Sequence, residues 1–260
     1  MASVKLEDIK YEKISAASND AHGQEMLVGE IPGAGVSFHT LSKGEKRDFI
    51  GGAGFIRVLF LCQGGATFSG RSGAFSYDGR AVYTDMPGED ISVFAPDGCE
   101  VLEIKWELTQ SDIEELKSKS ERFPFTEAYA DALQYRDPFK SETTISRAIV
   151  VHDFIPRFAM GSVEAKGDDL VGQHAHPLLD QFFFSFPEND ADLLIDCRIF
   201  NLKGGTLVHI PLGSNHGVIA RGAQRMHYLW LDFTPLSQKD DAVAYLNEVH
   251  KPTGVKETLK

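Results

Sequence analysis

The chain of 260 residues has only three cysteines, Cys62, Cys99 and Cys197. They are widely spaced and form neither a CxxC pair nor an even disulfide framework, which argues for reduced thiols. No apolar run approaches the roughly 18 residues of a membrane-spanning helix. Residues Met1 to Lys13 mix charges and lack the apolar centre of a signal peptide. Basic tracts are absent too, and the formal net charge is −12, which argues against nucleic acid or an anionic membrane as partner. There is no Gly-rich phosphate loop, no GxSxG and no short-period repeat. These absences leave a soluble, cytoplasmic protein with a small-molecule partner as the expectation.

What is present is β texture. From Met26 to about Leu108, short apolar runs alternate with Gly and Pro-Gly punctuation. Phe55 to Cys62 predicts a buried strand, Gly64-Gly65 a turn, and Asp78-Gly79 a hairpin. Many short strands at this spacing predict a sandwich or barrel. The texture changes at Thr109. Ser111-Asp112-Ile113-Glu114 predicts a capped helix, and Thr126 to Leu133 a second one ending before Asp137-Pro138. Strands resume near Ser146, with a hairpin between Asp190 and Lys203, and a final helix is expected from Ser237 to about His250.

The chemistry lies between Gly172 and Gly217. His174 and His176 are two apart, so on a strand they share a face. With a carboxylate four residues on and a distant His216 they make a four-ligand set for a divalent metal. These residues resemble the two motifs of the cupin superfamily. Gly205, Pro211, Gly213 and His216 fit G(x)5PxG(x)2H at every spacing, with Ala220 in place of the closing Asn. His174 and His176 fit the HxH of the first motif, where Asp180 stands in place of Glu and Pro187 in place of the closing Gly.

The resemblance implies an all-β protein of two cupin-type (RmlC-like jelly-roll) barrels. Residues 1–108 would form a barrel without a metal motif, 109–145 a helical linker, 146–236 the metal-binding barrel, and 237–260 a C-terminal helix and tail. The metal would be one divalent transition ion, Fe, Mn, Ni or Zn, held by His174, His176, His216 and an acid. Three intervening residues make Asp180 the fourth ligand; four make it Gln181. A carboxylate binds such ions better than an amide, which favours Asp180. Facing Asp180 inward brings Phe182, Phe184 and Phe186 with it, whereas Gln181 brings Phe183 and Ser185. On the strand Gln224 to Phe233, either Arg225 and His227 face inward as substrate contacts, or Met226, Tyr228 and Trp230 do. His209 is read as facing outward or packing between the two halves, and His152, on an entry strand, as a residue that could reach the pocket.

Four protein ligands leave coordination positions open, the mark of a working site. The expected activity is therefore metal-assisted proton transfer, of isomerase or lyase type, on a small sugar-acid or keto-acid-like molecule. The alternatives are an Fe-dependent dioxygenase and a non-catalytic ligand-binding cupin. Cupins commonly pair through sheet edges, which implies a homodimer.

Overall fold

A computed structural model describes residues 9–15, 23–196, 198–236 and, as backbone, 251–252. It is built almost entirely of antiparallel strands, in two compact units spanning residues 14–131 and residues 1–13 with 132–260. No helix among the described residues is long and apolar enough to cross a membrane. The helix expected from Ser237 lies outside the described residues.

The N-terminal unit is organised by one strand, Phe55–Gly70, which pairs with Ala81–Thr84 and Cys99–Glu107 through its first half and with Gly73–Asp78 and Ile91–Ala95 through its second. The turn expected at Gly64-Gly65 is a bend inside this strand. A register shift falls between Leu61 and Gln63, and Gly64 takes φ +83°, which brings the Gly98 carbonyl too close for any side chain there. The hairpin expected at Asp78-Gly79 is displaced likewise. The tight reversal joins Gly70 to Gly73, while Gly79 N–H donates to Gly64 O at 3.0 Å.

Leu59, Leu61, Phe68, Tyr83, Val93 and Val101 fill this unit's core. Arg57, Glu103 and His39 are in phase with those residues along their strands and are buried. Glu103 accepts from Arg57 Nε at 2.6 Å and from His39 Nε2 at 2.9 Å, while His39 Nδ1 accepts from Arg47 at 3.2 Å. An ion cluster is thus buried in the unit in which no metal motif was found.

One α-helix follows, Gln110–Ser118. Its cap is Thr109 rather than Ser111: the Thr109 hydroxyl accepts from Asp112 N–H, and the Asp112 carboxylate accepts from Thr109 N–H at 2.9 Å. The second helix expected from Thr126 to Leu133 is instead the strand Phe125–Ala128, a 3₁₀ turn, and the strand Leu133–Arg136. Phe125–Ala128 pairs with Ala81–Thr84. An open sheet edge outweighed the modest helix propensity of an Ala-rich run.

In the C-terminal unit, Arg225–Phe233 lies between Phe158–Lys166 and Asp180–Ser185, and Asp180–Ser185 pairs in turn with Thr206–Ile210. The expected hairpin is present, Asp190–Ile195 against Arg198–Lys203. Two short strands complete the unit. Tyr11–Lys13 adds to Thr206–Ile210, and Leu133–Arg136 adds to Ile145–Ile155. The core is formed by Val163, Phe183, Leu193, Val208, Tyr228, Trp230 and their neighbours.

Candidate metal centre

Cross-strand pairing assembles the histidines. Asp169–Ala175 runs antiparallel to Asn215–Ala220 with His174 opposite His216, and His176 follows directly after its strand ends. Their ring centroids lie 4.8 Å apart for His174–His176 and His174–His216, and 5.5 Å for His176–His216. One ring nitrogen from each lies within 4.8 Å of the others. The loop that delivers His216 needs its glycine: Gly213 has φ +79°, and its N–H donates to His176 O at 3.0 Å.

Second contacts set the tautomers. His174 Nδ1–H donates to Gly172 O at 2.8 Å, and His216 Nδ1–H donates to Ser214 O at 3.0 Å. Each Nε2 is therefore left as a lone-pair donor, the arrangement usual behind metal-bound imidazoles. Burial lowers the pKa of His174, and burial together with the nearby His174 pushes His216 down to about 3. Both rings are thus neutral at physiological pH, as ligands must be.

Of the two candidates for a fourth ligand, Gln181 is the one that shares the cavity with the three histidines. Asp180 and Gln181 pair opposite Phe233 and Asp232 respectively, and Gln181 lines the cavity that holds the three histidines whereas Asp180 does not. The Asp180 carboxylate accepts from Leu212 N–H at 2.8 Å and faces His209 Nε2 at 3.3 Å, so it braces the loop that leads to His216. Gln181 is 4% exposed, its Nε2 donates to Asp232 at 2.7 Å, and its Oε1 is buried without a hydrogen-bond partner. A buried, unpaired amide oxygen beside three lone-pair nitrogens is costly unless something binds it. That oxygen, the Nε2 atoms of His174 and His216 and a ring nitrogen of His176 are the donors these residues offer to one divalent ion.

Parity along Arg225–Phe233 follows the same choice. Tyr228, Trp230 and Asp232 line the cavity, with Phe183 stacked on Tyr228 at 4.6 Å and edge-on to His216 at 5.5 Å. Arg225 and His227, expected as substrate contacts, lie on the opposite face because the apolar set takes the core. Arg225 pairs with Glu164 at 2.7 Å, and His227 Nδ1 donates to Glu188 at 2.7 Å. His152 stacks on Trp230 at 6.1 Å but does not line the cavity.

Several cavity residues went unseen in the sequence. Asp232 is in register with Trp230, so the second parity pointed to it. Tyr135, Asp137, Phe139 and Lys140 come from the segment expected to be linker, and no spacing marked them. Phe139 stacks on His174 at 4.4 Å, and its carbonyl accepts from Gly172 N–H at 2.6 Å. Burial raises the Asp232 carboxyl to about 7, against the lowering pull of Gln181 and Lys140. The space left for the centre of a water-sized sphere is about 30 Å³, enough for very few ligand atoms.

Gly161 lies directly against the ring of Trp230. A methyl there would run into the Trp230 ring and the Arg147 carbonyl. Gly161→Ala is expected to cost about 1–3 kcal/mol and to shift the fluorescence of Trp230, one of two tryptophans in the chain. Unchanged emission and unchanged stability would refute this placement of the ring.

No family model matches the chain, and no curated protein matches it in sequence. Among solved structures it is similar to oxalate decarboxylase from Lactobacillus farciminis in a formate complex, with TM-score 0.66, 16% identity, and 87% of this chain and 86% of that one covered. It is also similar to a cupin 2 conserved barrel domain protein from Leptotrichia buccalis, with TM-score 0.59, 16% identity, and 90% and 100% covered. A third is oxalate decarboxylase from Bacillus subtilis, studied for its Mn(II) centres, with TM-score 0.65, 15% identity, and 86% and 77% covered. The likeness shows that the chain shares the fold of these structures.

Proposed function

We propose that His174, His176, His216 and Gln181 hold one divalent transition metal, and that the cavity is the active site of an enzyme that transfers a proton on a small oxygenated acid. The observation that carries this reading is the unpaired Gln181 Oε1 beside three imidazoles whose Nδ1 atoms are not available as ligands in two cases. Four neutral donors leave the full charge of the ion in place, and such an ion acts as a Lewis acid that polarises a bound carbonyl or hydroxyl.

The chain's own residues supply the rest. Asp232 is a buried carboxylate on the cavity wall, held by Gln181 Nε2 at 2.7 Å, and is the group placed to take and return a proton. Its pKa near 7 suits both directions at neutral pH. Phe139, Phe183, Tyr228 and Trp230 wall the space with aromatic surface and exclude bulk water. Proton transfer of isomerase or lyase type is favoured over oxygenation by this poised carboxylate, which a reaction with dioxygen does not require. Mn, Fe, Ni and Zn all suit three nitrogens and one oxygen, and pairing as a homodimer belongs to the same proposal.

Asp232→Asn keeps the shape and the Gln181 contact while removing the base. Turnover on keto- and hydroxy-acids is expected to fall by about 10²–10⁴-fold, with metal content unchanged by elemental analysis. Oxygen consumption dependent on Fe(II), persisting in Asp232→Asn, would point to a dioxygenase instead.

A further inference from the structure

We propose that Lys140 anchors a carboxylate of the substrate, so that the cavity selects small organic anions over neutral molecules of the same shape. This rests on the reading of the cavity as a metal-dependent active site. Lys140 is a buried cation on the cavity wall: its side chain is 9% exposed, and that of its ion-pair partner Asp137 is 4% exposed. Its ammonium donates to Tyr135 Oη at 2.9 Å and to the Asp137 carboxylate. An ammonium has three donors, and these contacts occupy two of them among the described residues.

The segment is held in place relative to the histidines. Lys140 bridges to Val171, Phe139 O accepts from Gly172 N–H at 2.6 Å, and the Phe139 ring stacks on His174. The ammonium is thus a fixed feature of the cavity rather than a mobile surface charge.

Charge balance then names the ligand. Asp137 offsets Lys140, the imidazoles and Gln181 are neutral, and Asp232 can offset at most one of the two charges of a divalent ion. The loaded cavity is left positive, and an uncompensated charge in a buried site is expensive. A small anion closes the balance, and a carboxylate can take the ammonium with one oxygen. The limited free volume restricts it to a few heavy atoms.

The test is calorimetric titration of Zn-loaded protein with glycolate and with the neutral glycolamide, alongside elemental analysis. The variant is Lys140→Met combined with Asp137→Asn, which removes both buried charges together. Wild type is expected to bind glycolate at least about tenfold more tightly than the variant, with glycolamide affinity and metal content the same in both. Equal glycolate affinity in metal-replete wild type and variant would overturn the anchor alone. A wild type that binds glycolamide as tightly as glycolate overturns it without recourse to any variant. A wild type that takes up no metal removes the metal-dependent reading and this inference with it, and the elemental analysis separates that failure from the other two.

Discussion

Replacement of His216 by alanine is expected to abolish stoichiometric metal binding, with affinity falling by at least about 100-fold. That figure is set by the 10–100-fold cost of losing merely a partner behind a metal ligand. His216 is 2% exposed, faces His174 across a strand pair, and spends its Nδ1–H on Ser214 O. Nothing else on its strand replaces the missing nitrogen, since Gly217 and Val218 are its neighbours in the cavity wall. The check is metal content together with thermal midpoint. Chelation should lower the midpoint of wild type, because a ligand that binds the folded state stabilises it by mass action, and should leave His216→Ala unmoved. His209→Ala, which alters a ring facing Asp180 rather than the cavity, should keep its metal. Full metal occupancy in His216→Ala would remove the proposed centre.

The second large effect is in the other unit. Glu103→Gln is expected to destabilise the protein by about 3–5 kcal/mol, the usual cost of breaking a buried ion pair from one side. Glu103 is 3% exposed and Arg57 is 7% exposed, so the guanidinium would keep its burial and lose its counter-charge. The pH dependence has a definite sign. Burial would raise the Glu103 carboxyl, but the hydrogen bond from His39, then Lys105 and Arg57, outweighs it and holds the pKa at about 2. A carboxyl depressed in the folded state stabilises fully above its ordinary range near 4.5. That contribution, about 3 kcal/mol by linkage, fades as pH falls from about 4.5 toward 2. Denaturant titrations of wild type and Glu103→Gln at pH 7 and pH 3 should therefore differ widely at the first and converge toward the second. A gap below about 1 kcal/mol at pH 7 would mean the cluster is no stronger than a surface pair.

Much of this protein was legible before any fold was known. Alternation and turn residues announced an all-β chain because a half-buried strand repeats every two residues. The HxH pair and the spacing from Gly213 to His216 marked the three histidines through their resemblance to two known motifs, and the pairing of their strands is what brings them together. The change of texture at Thr109 announced the helix Gln110–Ser118, with its cap two residues too late, but also a second helix that the structure replaces with strands.

What remained open was every choice between two faces. Asp180 or Gln181, and Arg225 with His227 or Tyr228 with Trp230, differ by one residue of strand parity, and local chemistry favoured the carboxylate. Both faces of the strand Asp180–Ser185 are buried and aromatic, so burial alone does not choose between them; in the structure Gln181 and Asp232 line the cavity with the histidines, and Asp180 accepts from the Leu212 amide on the other face. Tyr135, Asp137 and Lys140 were beyond reach for a different reason. They lie more than thirty residues before His174 in the chain, and only strand pairing and the bridge from Lys140 to Val171 bring them to the cavity. Residue types and short spacings determined which donors exist; long-range pairing determined which of them share a centre.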